Sequence, residues 1–138
     1  MIGYNKLGNN GRLGNQMFQY ASMRGIAAKH NYEWCIPPED CPSDSNYGLF
    51  ETFEMVNVDP KNIGYVNGST IEESNYNLDV NLFENCPDGS NIHGYLQTEK
   101  YFYHIKDQIL SDFSFKKEYL NPCKDFRSEE HTSELQSR

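Results

Sequence analysis

Residues 8–31 read GNNGRLGNQMFQYASMRGIAAKHN, and this stretch decides the predicted fold. Glycine and asparagine are too frequent in its first half for the interior of a helix or a strand. From Gln16 onward, one helical face repeats at steps of three and four residues. Its members are Met17, Tyr20, Ala21, Arg24, Ala27 and Ala28. The pattern predicts a loop and then a helix that has Asn15 as its N-cap and ends near His30 and Asn31.

Short strands are predicted on both sides of this stretch. Residues 2–7 (IGYNKL) form the first, and residues 32–36 (YEWCI) form a second that Pro37 and Pro38 terminate. Strand, glycine turn, helix and strand together span about 35 residues, which is the size of a βαβ unit. Such a unit implies a parallel sheet with the glycine turn at the carboxyl end of the first strand, where open α/β sheets bind ligands.

The rest of the chain gives weaker signals. An Asn-Gly step within residues 66–69 predicts a hairpin turn, and residues 91–96 (NIHGYL) predict a strand. Residues 99–112 predict a helix, with a helical face formed by Phe102, Ile105, Ile109 and Phe113. Without internal repeats, residues 1–126 are predicted to form one α/β domain.

The last twelve residues, 127–138, read RSEEHTSELQSR. They contain one aliphatic side chain and neither helical nor strand periodicity, so they offer nothing to a core. Their first eleven residues also resemble the in-frame translation of a common sequencing adapter. We therefore expect residues 127–138 to be a disordered, non-native tail, and the natural reading frame to be lost after about Phe126.

Composition excludes several classes of function. A formal net charge of −8 argues against nucleic acid as the main partner.

The cysteines form no C-x-x-C pair and are expected to be reduced thiols, namely Cys35, Cys41, Cys86 and Cys123. The histidines are isolated and no D-x-D pair is present, so no metal site is predicted. The acidic pairs Glu39-Asp40 and Glu72-Glu73 are expected to face solvent.

No targeting or membrane segment is recognisable in the sequence. The amino terminus lacks the basic and apolar regions of a signal peptide, and no apolar run approaches the length of a membrane-spanning helix. These features predict a cytoplasmic protein without membrane insertion.

The glycine turn has the spacing G-x-x-G-x-x-G, formed by Gly8, Gly11 and Gly14. This spacing matches neither the dinucleotide-binding fingerprint nor a P-loop. The free N–H groups of the following helix, together with Arg12, would nevertheless suit a phosphate or a carboxylate. The alternative is a tight turn that packs helix on strand, with Arg12 in solvent and Asn15 only capping. The residues alone leave both interpretations open.

Two motifs together carry a family resemblance. Residues 11–21 (GRLGNQMFQYA) closely resemble the opening signature of the α-1,2-fucosyltransferases, glycosyltransferase family 11. Residues 94–102 (GYLQTEKYF) are similar to a second segment of that family, and residues 112–115 (DFSF) continue the likeness. The order of the motifs and their separation also agree with the family.

The resemblance implies a GT-B-type enzyme with two Rossmann-like domains facing each other across a cleft. Such an enzyme transfers L-fucose from GDP-fucose to a hydroxyl of a galactose-containing glycan, with inversion and without a metal or other cofactor. The family's H-x-R-R-G-D signature does not occur in the 138 residues. The expectation is therefore an N-terminal Rossmann-like domain without its second domain, inactive by itself. Animal members carry a membrane anchor before this region, whereas a cytoplasmic enzyme without an anchor is expected here.

The resemblance also implies site residues. Those expected to face the donor at the cleft are Gly11, Arg12, Gly14 and Asn15. Asn15 is expected nearest the donor or the reacting sugar, by similarity to the G-R-x-G-N turn of protein O-fucosyltransferases. The second motif contributes residues that either contact ligand or brace the domain, namely Gln97, Glu99 and Lys100. No residue is identified as a catalytic base.

Three alternatives remain open. The nearest is a fucosyltransferase of another linkage, such as a protein O-fucosyltransferase, which differs in the acceptor it uses. An NAD-type oxidoreductase would need an acid about 20 residues beyond the glycines, for which only Glu33, Glu39 and Asp40 are loosely placed. A non-catalytic glycan-binding module would bind fucosides without GDP-fucose.

Overall fold

The computed structural model describes residues 1–8, 12–39, 47–74 and 77–116. Within them, the strands are β1 (Ile2–Gly3), β2 (Trp34–Cys35), β3 (Thr70–Glu72) and β4 (Asn91–His93). The α-helices are α1 (Leu13–His30), α2 (Leu49–Thr52), α3 (Val80–Asn85) and α4 (Lys106–Asp112). Three single turns of 3₁₀ helix complete the elements, at Pro60–Asn62, Glu99–Tyr101 and Tyr103–Ile105.

The four strands form one sheet in the order β2-β1-β4-β3. Every pairing between them is parallel: Ile2 lies opposite Trp34, and Gly3 lies opposite Asn91. The predicted α/β class, the first strand, the long helix and its parallel partner strand are therefore confirmed. The strands are shorter than predicted, since the segments 2–7, 32–36 and 91–96 each pair over two or three residues.

Helix α1 forms the centre of the hydrophobic core. It is buried continuously from Gln19 to Ala27, because the sheet lies on one side and the 3₁₀ turn at Glu99–Tyr101 lies on another. Among the fully buried side chains are Ile2, Tyr4, Tyr20, Met23, Ile26, Ile92, Leu96 and Tyr101. The helix ends at Asn31, whose left-handed backbone (φ 59°) donates its N–H back to Ala27 and Ala28.

The predicted start of α1 is wrong by three residues. Arg12, with an extended backbone, is the N-cap, and Asn15 lies inside the first turn. The sequence pattern favoured Asn15 because asparagine is a strong capping residue. Its side chain is instead used in a contact with another segment of the chain, which a local pattern does not reveal.

The predicted helix over 99–112 is only partly confirmed. The α-helical part begins at Lys106, and the first half consists of two 3₁₀ turns joined at Phe102. The backbone there (φ −130°, ψ 10°) departs from α-helical values. A close approach to α1 accounts for the irregular path, since a methyl group on Gly25 would lie 2.0 Å from the carbonyl oxygen of Tyr101.

The predicted hairpin at residues 66–69 is wrong. In the part of the chain that the structure describes, no strand precedes this segment to pair with β3, and β3 pairs in parallel with β4 instead. At Gly68 a Cβ would meet the carbonyl oxygen of Gly89 at 1.8 Å. The glycine is therefore explained by a close backbone contact with the turn before β4 rather than by hairpin geometry.

Several predictions fall outside the described residues. They concern Gly11, Cys41, Cys123 and the tail at 127–138. Among the described helices, none combines the length and apolar character needed to cross a bilayer.

Candidate functional site

The carboxyl edge of the sheet gathers the segments that the sequence singled out. Because all four strands run in parallel, their carboxyl ends lie along one edge. Gly8 and the start of α1, the described ends of the glycine turn, follow β1 at that edge, Glu73 follows β3, and residues 94–97 follow β4. The two described ends of the glycine turn lie where the sequence predicted, and the second motif begins at the same edge.

The amino terminus of α1 supplies partial positive charge at this edge. Among the residues that the structure describes, no side chain caps the helix, and its first turn contains no acidic residue. The free N–H groups therefore face the edge without an internal carboxylate to neutralise them. Arg12 stands at the cap position with an exposed side chain and adds a full positive charge. An anionic group is the ligand that this arrangement favours.

Gly14 leaves open space in the first turn of α1. It is exposed, and a Cβ added there would meet no atom within 4 Å. Packing within the described chain therefore does not require glycine at this position. Glycine inside a helix is destabilising relative to alanine, so the residue is one that close approach of a ligand would explain.

Asn15 and Gln97 join the two motifs. The side-chain Nε2 of Gln97 donates a hydrogen bond to Oδ1 of Asn15, although 82 positions separate the residues in sequence. Asn15 is half-buried and Gln97 is exposed, so the contact lies at the molecular surface. Because Oδ1 is occupied, the amide group of Asn15 remains as the donor for other partners.

Glu99 and Lys100 are not brought to Asn15. Both side chains are exposed, and within the described residues neither forms an ion pair. Their backbone forms the first 3₁₀ turn, where Oγ1 of Thr98 accepts the N–H of Lys100 at 3.4 Å. Glu99 also lines a shallow apolar groove of about 230 Å³ beside Phe18. The arrangement gives these two residues a local role in the turn.

Residues 94–96 are held in an unusual backbone conformation. Gly94 has φ 148°, and its N–H and carbonyl both bond to the hydroxyl of the buried Tyr4. Leu96 has φ 52°, although a branched side chain disfavours that region. Ser22 of α1 donates its hydroxyl to the carbonyl of Leu96 at 3.0 Å. The loop that carries Gln97 is thereby tied to α1 and to Tyr4, the residue after β1.

Glu73 is a participant that the sequence did not identify, and it is half-buried where full exposure to solvent was predicted. Its Oε1 accepts the N–H of Leu96 at 3.1 Å, and its Oε2 accepts the hydroxyl of Tyr101 at 2.8 Å. Glu72 and Glu39 are exposed as expected. Burial, together with the bond to Glu73, raises the pKa of Tyr101, so the hydroxyl stays protonated as a donor. Adjacent side chains of a β-strand point to opposite faces of the sheet. This alternation at the end of β3 is the signal that could have distinguished Glu73 from the exposed Glu72.

The acids considered for a nicotinamide site do not converge on the glycine turn. The carbonyl of Glu33, just before β2, accepts the N–H of Ile2, which places Glu33 at the amino edge. Glu39 follows β2 on the carboxyl side and is exposed. Asp40 lies outside the described residues.

The described residues hold no group of three metal-ligating side chains close enough to bind an ion. Cys35 and Cys86 are buried and free, as predicted for reduced thiols. Burial raises the pKa of both thiols, which favours their neutral, unreactive form.

Comparison of the chain with protein-family models, with curated proteins and with solved structures gives no match.

Proposed function

We propose that this chain is the N-terminal, Rossmann-like part of a GT-B-type enzyme related to the α-1,2-fucosyltransferases. The enzyme would transfer L-fucose from GDP-fucose to a hydroxyl of a galactose-containing glycan. The glycine turn and the start of α1 would form one wall of the donor cleft. Arg12, Gly14 and Asn15 are the described residues that would contact the donor.

One observation carries the proposal: the two motifs that resemble the family meet in space. Residues 11–21 and 94–102 are distant in sequence, yet the Gln97–Asn15 hydrogen bond joins them at the carboxyl edge. Open α/β sheets bind ligands at this edge. A resemblance that arose by chance in two unrelated segments would give no reason for such a contact.

The chemistry at this edge suits departure of a nucleoside diphosphate. Breaking the bond between fucose and GDP places negative charge on the leaving phosphate, and donors aimed at that charge lower the barrier. The open helix terminus and Arg12 supply such donors without a cation. The amide group of Asn15 can bond a sugar hydroxyl or a phosphate oxygen beside them.

Titration with GDP-fucose, followed by NMR of the ¹⁵N-labelled chain, tests the donor site. We expect shifts at the Gly14 backbone amide and the Asn15 side chain. Arg12→Gln should weaken binding about tenfold, the loss of one charge-assisted hydrogen bond. Lys61→Gln is the matched control, because Lys61 is exposed and lines the same cavity as Glu33, which lies at the opposite, amino edge of the sheet. Equal effects of the two substitutions would refute the site.

The same titration separates the alternatives. Shifts with NADH in place of GDP-fucose would indicate an oxidoreductase, and shifts with fucosides alone would indicate a glycan-binding module. Transfer from labelled GDP-fucose to galactosides is expected to be absent, because the 138 residues contain no H-x-R-R-G-D signature. Acceptor screening of an active full-length protein would separate the α-1,2 linkage from others.

A further inference from the structure

Glu73 lies behind the candidate site and outside both sequence motifs. Its carboxylate bridges two parts of the second motif, the N–H of Leu96 and the hydroxyl of Tyr101. The backbone N–H of Asp79 donates to that same hydroxyl at 2.8 Å, so Tyr101 is fixed from two sides. One charged side chain therefore connects the end of β3 to the loop after β4 and to the following 3₁₀ turn.

Leu96 is the residue whose conformation needs this support. Its side chain is fully buried and its φ is 52°. A left-handed conformation costs a branched residue about 1–2 kcal/mol, so neighbouring contacts must impose it. Glu73 holds the N–H of Leu96, and Ser22 holds its carbonyl. Both backbone polar groups of Leu96 are thus fixed by side chains from different parts of the chain.

The path of the backbone at Leu96 sets the direction of the next side chain. Gln97 follows immediately, and its amide reaches Oδ1 of Asn15. A change of Leu96 to an ordinary negative φ would redirect the chain at Gln97 and break that contact. Asn15 would then lose the bond that fixes which of its two amide atoms faces outward.

We propose that Glu73 is a positioning residue for the donor site. Its carboxylate holds Leu96 in the left-handed conformation, which places Gln97 on Asn15 and orients the Asn15 amide toward the donor. That the ligand is a sugar-nucleotide donor rests on the proposed function, whereas the effect of Glu73 on the orientation of Asn15 does not.

The side-chain amide resonances of Asn15 and Gln97 test the orientation without any ligand. We expect Glu73→Ala to move both NH₂ pairs toward the positions of free amides. Glu73→Gln, which keeps an acceptor for the N–H of Leu96, should restore them in part. Glu72→Ala is the matched control, since Glu72 is the exposed neighbour in β3 and should change neither pair. Unchanged resonances in Glu73→Ala would overturn the proposal.

Ser22→Ala provides a second test should Glu73→Ala not fold. It removes one hydroxyl, and with it the hydrogen bond to the carbonyl of Leu96. We expect the same NH₂ pairs to move in the same direction. Resonances that stay at their wild-type positions would contradict the role given to the Leu96 conformation.

Affinity for GDP-fucose separates positioning from a purely structural role. Glu73→Ala should weaken binding about fivefold, as expected for one misplaced hydrogen bond. In a Gln97→Ala background the same substitution should have no further effect, because the path through Gln97 is already broken. If the losses of affinity from Glu73→Ala and Gln97→Ala simply added together, the positioning role of Glu73 would be overturned. If the wild-type chain does not bind GDP-fucose, the proposed function fails, and the amide resonances still decide the orientation.

Discussion

Two glycines of α1 show how one residue type serves opposite purposes. Gly25 is required by packing, since a Cβ there would lie 2.0 Å from the carbonyl oxygen of Tyr101 and 2.7 Å from Cα of Phe102. Gly14 meets nothing, and no neighbour in the described chain restricts it. A packing role and a ligand role for glycine are therefore separable within a single helix.

Alanine at these two positions should change stability in opposite directions. Gly14→Ala is expected to stabilise the fold by about 0.5–1 kcal/mol, because alanine favours the helix. Gly25→Ala should destabilise it by about 3 kcal/mol or more, because the atoms in its way belong to the backbone. Urea denaturation measures both free energies of unfolding. If Gly14→Ala also abolishes the shifts caused by GDP-fucose, lost binding cannot be attributed to unfolding.

The sequence predicted the first βαβ unit because its signals are local. Glycine-rich residues, a helical repeat and a proline stop follow one another within 8–38, and each element depends mainly on its own residues. The contacts that Asn15 and Glu73 make could not be predicted from such local signals. Asn15 contacts a residue 82 positions away, and Glu73 contacts residues 23 and 28 positions away. The parallel pairing of β3 with β4 likewise depends on a partner that no turn signal specifies.

At the scale of one element, α3 depends on its cap. Asp79 accepts the N–H of Leu82 at 3.1 Å, and its other oxygen accepts the N–H and hydroxyl of Ser74 at 2.9 Å. Asp79→Ala should cost about 1–2 kcal/mol of unfolding free energy, measured by thermal or urea denaturation. Asp107→Ala, an exposed acid in the first turn of α4, is the control and should stay within about 0.5 kcal/mol. If Asp79→Ala and Asp107→Ala lowered the free energy of unfolding by similar amounts, a specific capping role for Asp79 would be refuted.

The carboxylate of Asp79 also predicts that the stability of the fold depends on pH. Burial alone would raise the pKa of Asp79, but the hydrogen bonds from Ser74 and Leu82 outweigh it and lower the pKa. A lowered folded-state pKa stabilises the fold above the unfolded value of about 3.9, and this contribution is lost as pH falls through the folded-state value. Asp79→Asn removes the titrating group. The free energy of unfolding of Asp79→Asn should therefore be lower than that of the wild type by a constant amount near neutral pH, and this difference should shrink below about pH 4. A deficit that stays constant down to pH 2 would contradict this assignment.

At the scale of the whole molecule, a buried ion pair links distant parts of the chain. Arg24 of α1 donates to Asp112 at the end of α4 at 2.5 Å, and its guanidinium lies 4.9 Å from the ring centre of Trp34 in β2. Asp112 is fully buried and also accepts the hydroxyl of Tyr20 and the N–H of Asn57. Burial raises the pKa of Tyr20, so its hydroxyl remains a donor to Asp112.

Breaking this pair from one side should cost more than removing its charge altogether. Arg24→Met leaves the Asp112 carboxylate buried without a cation, which costs about 3–5 kcal/mol. Asp112→Asn in the same chain removes the uncompensated charge and keeps an acceptor for Asn57, so the double variant should recover part of that loss. Denaturant unfolding of both single variants and the double variant gives a coupling free energy, expected between about 1 and 3 kcal/mol. Lys29→Met, at the surface pair with Glu84, is the control and should cost under about 1 kcal/mol. Purely additive losses would show that α1 and α4 are held together by packing, with no net contribution from the charges.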